Sequence, residues 1–233
     1  MKATSQIKPY ILPDFGSLPL SLGLVLGLTG NTAYFGFLEI CQPKSGETVV
    51  ITGAAGAVGI LVGQIAKLKG CYVVGIAGSE EKCNMLVKEL GFDKAINYKK
   101  GDLSEQLKEA ASNGIDCYFD NVGGEISSII LNQMNLYGRV SICGAISGYN
   151  NKHSIKVPPI QATCIFKQLK LEGFVVYRWA DRWMEGVVQM LEWVKEGKLK
   201  YRETVTDGFE NAPQAFIDLL NGKNIGKSVV KLN

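Results

Sequence analysis

A run of strand-forming residues, Thr48-Val49-Val50-Ile51-Thr52, breaks into the small-residue turn Gly53-Ala54-Ala55-Gly56-Ala57-Val58-Gly59. A stretch with Leu61, Val62, Ile65 and Leu68 at helical spacing follows directly. Strand, glycine turn and helix in that order constrain the chain more than any other feature, because they are the opening half of a parallel β-α-β unit. The pattern then continues, with apolar runs of strand length at 71–76, 94–97, 115–119, 139–143 and 171–177. Helices are expected at 57–69, at 80–90 with Ser79 as N-cap, and at 124–136, burying Ile126, Ile129, Ile130 and Met134. The expected fold is α/β, a doubly wound, six-stranded parallel sheet of the Rossmann type.

Both ends depart from this grammar. The first forty residues carry Pro9, Pro13 and Pro19 before a helix near 29–41. After Tyr177 come a long amphipathic helix at 181–196 (Trp183, Val187, Met190, Leu191, Val194), a short strand at 199–205, a helix at 211–221 and a last strand at 227–232. The apolar segment Leu18–Leu28 is too short to span a bilayer and is interrupted by Pro19, Gly23 and Gly27, so it is read as soluble helix and the expected location is cytoplasmic.

Charge and cysteine usage narrow the function classes. Lys+Arg 25 against Asp+Glu 22 leaves +3, with no basic face for nucleic acid. Cys41, Cys71, Cys83, Cys117, Cys143 and Cys164 are scattered with no C-x-x-C, and His153 is the one histidine, in a polar stretch. No metal site is therefore expected, and the thiols read as buried and reduced.

The glycine turn suits a dinucleotide. A pyrophosphate needs backbone N–H groups at a helix N-terminus and small residues that let the backbone approach, as Gly56, Ala57, Val58 and Gly59 provide. The match is A-x-G-x-x-G, with Ala54 where the first glycine usually stands; such turns also occur for packing alone. No Gly-Lys-Ser/Thr follows, which excludes a triphosphate loop, and none of the nine tyrosines has a lysine four residues on, which excludes the short-chain dehydrogenase pattern. Past the second strand, Gly78 and Ser79 offer no carboxylate for the ribose hydroxyls of NAD, a lack that also counts against S-adenosylmethionine. Lys82 follows, either to meet a 2′-phosphate or as a solvated lysine. Glu80 and Glu81 are first-turn residues favoured by the helix dipole. Two further turns, 120–124 and 143–149, fall at strand ends, where a nicotinamide can lie against backbone and Asn121 can fix its carboxamide; each alone is equally a tight turn needing positive φ.

The stretches "TAYFGFLEIC", "AAGAVG", "GQIAKLKGC", "GFDKAINYKKG", "DCYFDNVGGE", "CGAISGYN", "FVVYRW", "EGKLKYRE", "GFENAPQAF" and "NIGKSVVK" resemble the prostaglandin reductases, or leukotriene hydroxydehydrogenases, a zinc-independent branch of the medium-chain dehydrogenases/reductases. A quinone reductase of the same superfamily fits "DCYFDNVGGE" and "FVVYRW" less closely. The resemblance implies NADPH/NADP held by Gly56, Ala57, Val58 and Gly59, with Lys82 on the 2′-phosphate and Tyr98 beside the adenine. It adds Asn121, the turn Cys143, Gly144, Ala145, Ile146, Ser147, Gly148 and Tyr149, the segment Phe174, Val175 and Val176, and Asn224. It implies reduction of the double bond of α,β-unsaturated ketones or aldehydes, such as 15-oxo-prostaglandins and lipid enals, with oxidation of a leukotriene hydroxyl as a further activity. Tyr149 is the expected catalytic hydroxyl. A second family tyrosine, which lies just before a Gln-x-Leu, is replaced by Phe166, in the stretch Phe166-Lys167-Gln168-Leu169.

The same resemblance implies a division into 1–24, a remnant of an N-terminal catalytic barrel; 25–203, the dinucleotide-binding domain; and 204–233, a C-terminal segment of the catalytic barrel. Roughly 100 residues of that barrel have no counterpart here, about one domain's worth. A cofactor-binding chain with little turnover is the alternative, and the last strand is expected to lack its usual partners. The resemblance further implies a homodimer in which the sheet edge at 173–179 pairs across a two-fold axis, although a Trp beside apolar residues equally suits intrachain core.

Overall fold

The computed structural model describes residues 11, 13–19, 21–149 and 157–232, so Pro9, His153 and half of segment 1–24 lie outside the described residues. The chain enters through α1 (Leu22–Leu24), a π-helical turn (Val25–Gly30) and α2 (Asn31–Leu38). It then alternates β1 (Thr48–Thr52), α3 (Gly59–Leu68), β2 (Tyr72–Ala77), α4 (Glu80–Lys88), β3 (Lys94–Asn97), α5 (Leu103–Ala110), β4 (Ile115–Asp120), α6 (Gly124–Asn132) and β5 (Met134–Ile142). It closes with α7 (Gln161–Lys167), β6 (Lys170–Gly173), α8 (Trp183–Lys195), β7 (Glu203–Asp207), α9 (Ala212–Leu220) and β8 (Lys227–Lys231).

The six strands β1 to β6 form one parallel sheet in the order β3-β2-β1-β4-β5-β6. β1 is buried at every position, as expected of a central strand covered on both faces. Its alternate side chains serve two cores. Val49 and Ile51, with Cys117 and Phe119, pack against α2, α3 and α8, while Val50, with Val74, Ile76 and Tyr118, packs against α5 and α6. The chain reverses its direction of travel across the sheet between β1 and β4, so the carboxyl ends of those strands open a crevice at the switch point.

Several sequence expectations are corrected. The helix expected at 124–136 stops at Asn132; Met134 opens β5 by pairing with Ile115, and Tyr137 takes a φ of 63° within the irregular start of that strand. The strand expected at 171–177 ends at Gly173, and Val176–Arg182 coils as a 3-10 segment. Its Trp179 is buried, with its ring stacked on Phe35 at 5.4 Å and 12°, so tertiary packing overrides the β-propensity of "FVVY". The strand expected at 199–205 begins only at Glu203, because Leu199 is buried and Lys200 N donates to Gln64 Oε1 at 2.7 Å. The helix expected near 29–41 starts earlier, at Leu22, and ends at Leu38. α5 and α7 had no sequence assignment.

β7 and β8 pair in parallel as a separate two-stranded sheet joined by α9, so among the described residues the last strand has one neighbour. Among the described residues no helix is long and apolar enough to cross a membrane. All six cysteines are free thiols, four of them buried.

Candidate cofactor and active site

The glycine turn at the end of β1 is shaped by two different demands. Gly53 has a φ of 59°, and Gly56 N donates back to Gly53 O at 2.9 Å. A Cβ on Gly59 would drive into Gly53 O and sit 2.6 Å from Ala54 Cα, so this glycine is required for α3 to seat on the turn. A Cβ on Gly56 would meet Gly53 O alone, at 3.2 Å, leaving open space beyond it for a ligand to approach backbone. Val58, at the N-cap of α3, contributes no side-chain cap, and the first turn holds no carboxylate. α4 and α5 are capped by Ser79 and Asp102, whereas α6, α8 and α9 share the lack of a side-chain cap, so it is the open backbone at Gly56 that sets the start of α3 apart. The positive end of the α3 dipole is thus left for an external anion.

The far end of the chain folds onto this turn. Gly226 N donates to Ala55 O at 2.8 Å, and Gly226 forms a parallel bridge with Gly56. Asn224 is thereby brought to the turn, with its Nδ2 donating to Gly226 O at 2.8 Å.

At the ends of β2 and β3 the Tyr98 ring lies against the backbone of Gly78, 3.2 Å from where a Cβ would be. Lys82, in the capped first turn of α4, donates from Nζ to Gly222 O. Burial and then the charge of Lys99 hold the Lys82 ammonium below the usual lysine range. Glu80 is engaged by Asn97 Nδ2 at 3.0 Å and by Lys100 Nζ at 3.3 Å. Sequence reasoning missed Lys99, and only strand adjacency reveals that it joins this corner.

Buried Asp120 organises the end of β4. Its carboxylate accepts from Thr52 Oγ1 at 3.1 Å, from Val122 N and Gly123 N at 2.9 Å, and from Ser127 Oγ at 2.7 Å. Asn121 is fixed in turn: its N–H donates to Thr52 Oγ1 at 3.0 Å and its Nδ2 to Thr52 O at 2.8 Å, leaving Oδ1 as an acceptor. Cys143 N and Gly144 N donate to Asp120 O, and Ser147 donates from N and Oγ to Val122 O, so the two strand-end turns interlock. Gly123 and Gly124 both have positive φ, as a tight turn requires. Burial, then Asp120, pushes the Cys143 thiol up to about 12, leaving it neutral.

Tyr149 is 65% exposed, and its hydroxyl oxygen accepts from Ala145 N at 3.2 Å, which leaves the hydroxyl proton to be donated elsewhere. The segment 174–176 divides. Phe174 packs on Trp179 and Phe119, Val176 is buried, and Val175 alone is broadly exposed. Any cofactor contact here therefore falls to backbone or Val175. Phe166 is 81% exposed.

The sequence is 57% identical over 222 residues to prostaglandin reductase 1 of Bos taurus, covering 94% of this chain and 67% of that protein. The zinc-binding dehydrogenase profile matches residues 57–193. The chain belongs to the prostaglandin reductase family of medium-chain dehydrogenases/reductases. Further members are similar: the NADPH-dependent curcumin reductase of Escherichia coli K12 is 47% identical over 91% of this chain and 63% of its own. The crystal structure of CurA from Vibrio vulnificus in complex with NADPH superposes with a TM-score of 0.87 at 45% identity, covering 94% of this chain and 67% of that one. The chain spans roughly two thirds of the length of the prostaglandin reductases it matches, between 62% and 68%. Although the matching profile carries zinc in its description, among the described residues no group of three or more His, Cys, Asp or Glu side chains is placed to hold a metal ion. The glycine cradle and uncapped α3 fit a dinucleotide of the kind bound by the Vibrio relative.

Proposed function

We propose that this chain uses NADPH to reduce the carbon–carbon double bond of α,β-unsaturated ketones and aldehydes, with 15-oxo-prostaglandins and lipid enals as the substrate class and oxidation of a leukotriene hydroxyl as a secondary activity. The observation that carries the reading is the convergence of the open Gly56 cradle, the Lys82–Tyr98 corner, fixed Asn121 and Tyr149 on the carboxyl edge of one sheet. NADPH, when bound, supplies the hydride.

The residues divide the remaining work. The turn Gly56 to Gly59 and the α3 N-terminus hold the pyrophosphate, Lys82 the 2′-phosphate and Tyr98 the adenine side. Asn121, with Oδ1 left as an acceptor, would hold the carboxamide, and the small-residue turn 143–149 would receive the ring. As hydride reaches the β-carbon, negative charge develops on the substrate carbonyl oxygen; the Tyr149 hydroxyl would hydrogen-bond to that oxygen while keeping its proton, and a proton from water at the α-carbon would then complete the saturated product. Asn224 and the backbone at 174–176 close the cofactor groove. Phe166 contributes no hydroxyl, which leaves Tyr149 to act without the second family tyrosine.

In this reading residues 25–203 are the cofactor domain, and 1–24 and 204–233 belong with a catalytic barrel. The chain works among reduced thiols in the cytoplasm and pairs as a homodimer through the β6 edge. Titrating NADPH and then adding a medium-length enone tests the reading. Repeated loss of the reduced-cofactor absorbance supports it; tight NADPH binding without turnover leaves a cofactor-binding chain with little activity.

A further inference from the structure

We propose that Lys99 is a second cation of the 2′-phosphate site, acting with Lys82 to select the phosphorylated dinucleotide. This deepens the cofactor reading above and rests on it. β2 and β3 are parallel neighbours, with Ala77 opposite Asn97, so the loops leaving them run side by side. Lys82 comes from the first and Lys99 from the second. Lys99 Cε lies 3.5 Å from where a Gly78 Cβ would stand, beside the Tyr98 ring, and Lys99 Nζ is 5.9 Å from the centre of that ring. Lys99 N donates to Asn97 Oδ1 at 3.1 Å, which sets the chain direction at this point.

The charges around the pair point to an anion. Among the described residues Lys99 makes no ion pair, whereas the adjacent Lys100 is bonded to Glu80. Glu80 is itself taken by Asn97 and Lys100. Lys82 Nζ has a neutral carbonyl, Gly222 O, as its hydrogen-bond partner. The two ammonium groups feel each other, because the charge of Lys99 helps lower Lys82. Glu81 is the one carboxylate whose charge acts on Lys82, and burial and Lys99 together outweigh it, so the two cations cost stability in the empty protein. A monoester phosphate carries close to two negative charges at neutral pH and relieves both. One lysine matches half of that charge, and the pair matches it all.

The test compares NADPH and NADH binding to the whole chain by calorimetry, for the wild type and for Lys99→Ala, Lys99→Gln and Lys100→Ala. Loss of one ammonium–phosphate contact predicts NADPH binding about tenfold weaker for both Lys99 variants. NADH binding should hold within about twofold, and the salt dependence of NADPH binding should flatten. The Lys82 ammonium, followed by NMR, should titrate higher in Lys99→Ala, and Lys100→Ala should keep the wild-type preference. Undiminished NADPH affinity in the Lys99 variants, or an equal loss for both coenzymes, overturns the assignment while leaving the cofactor reading intact. A folded wild type that binds neither coenzyme, or both equally, removes the cofactor reading itself and this proposal with it.

Discussion

Lys82 and Tyr149 mark the two ends of the proposed chemistry. Replacing Lys82 by Ala is expected to weaken NADPH roughly tenfold or more while leaving NADH nearly unchanged, through loss of a charge-assisted contact to phosphate. Parallel binding titrations check this, and equal losses would refute the role. Tyr149→Phe is expected to lower kcat about tenfold to a hundredfold with little change in NADPH affinity, since one donor to the developing oxyanion is lost. Stopped-flow enone reduction measures it, and an unchanged kcat assigns Tyr149 to shaping the groove. Single residues were unevenly legible in the sequence. Lys82 is conspicuous there, because no carboxylate stands at Gly78 or Ser79, whereas Lys99 lies seventeen positions further on and acquires meaning only from the β2–β3 pairing.

The strand, turn and helix around β1 are the elements best written in the sequence, since β-branched residues, glycine and helical spacing agree locally. Gly59 is their hinge. Gly59→Ala forces a methyl group into Gly53 O and Ala54 Cα, backbone atoms that cannot swing aside. The expected result is a loss of about 1–3 kcal/mol of stability, typical of overpacking, and a larger loss of NADPH affinity, read from chemical denaturation and binding titration. A fully stable, cofactor-binding variant contradicts the packing argument. Elements settled by distant partners were less legible. The apolar "FVVY" reads as strand by propensity, yet Trp179 reaches the Phe35 ring on α2 and draws Val176–Arg182 into a 3-10 turn. Likewise Met134 continues the helical spacing of α6, but its pairing with Ile115 starts β5.

At the scale of the whole molecule, long-range ties hold the sheet to its flanking segments. Arg139 on β5 donates to Cys41 O past the end of α2 and pairs with Glu47 before β1 at 2.5 Å. Burial alone would raise Glu47, but the hydrogen bonds from Arg139 and Lys44 N outweigh it and hold the carboxyl below its usual 4.5. A depressed carboxylate stabilises the fold above the unfolded value. That stability is therefore expected to be complete above about pH 4.5 and to be lost as the pH falls through the lower folded value. Denaturation midpoints across the acid range should show this fall, and Arg139→Gln should shrink it; a slope that Arg139→Gln leaves unaltered counts against the pair.

The sequence by itself determined the doubly wound sheet, the place of the glycine turn and the strand-end turns, because local periodicity and small-residue spacing encode them without reference to distant chain. The tertiary structure decided how those pieces meet: Gly226 and Asn224 brought onto Gly56, Asp120 tying the two strand-end turns together, and Lys99 set against Gly78 within reach of the charge of Lys82. The physical reason is that such contacts join residues far apart in the chain, and their geometry exists only once strand order and register have been fixed.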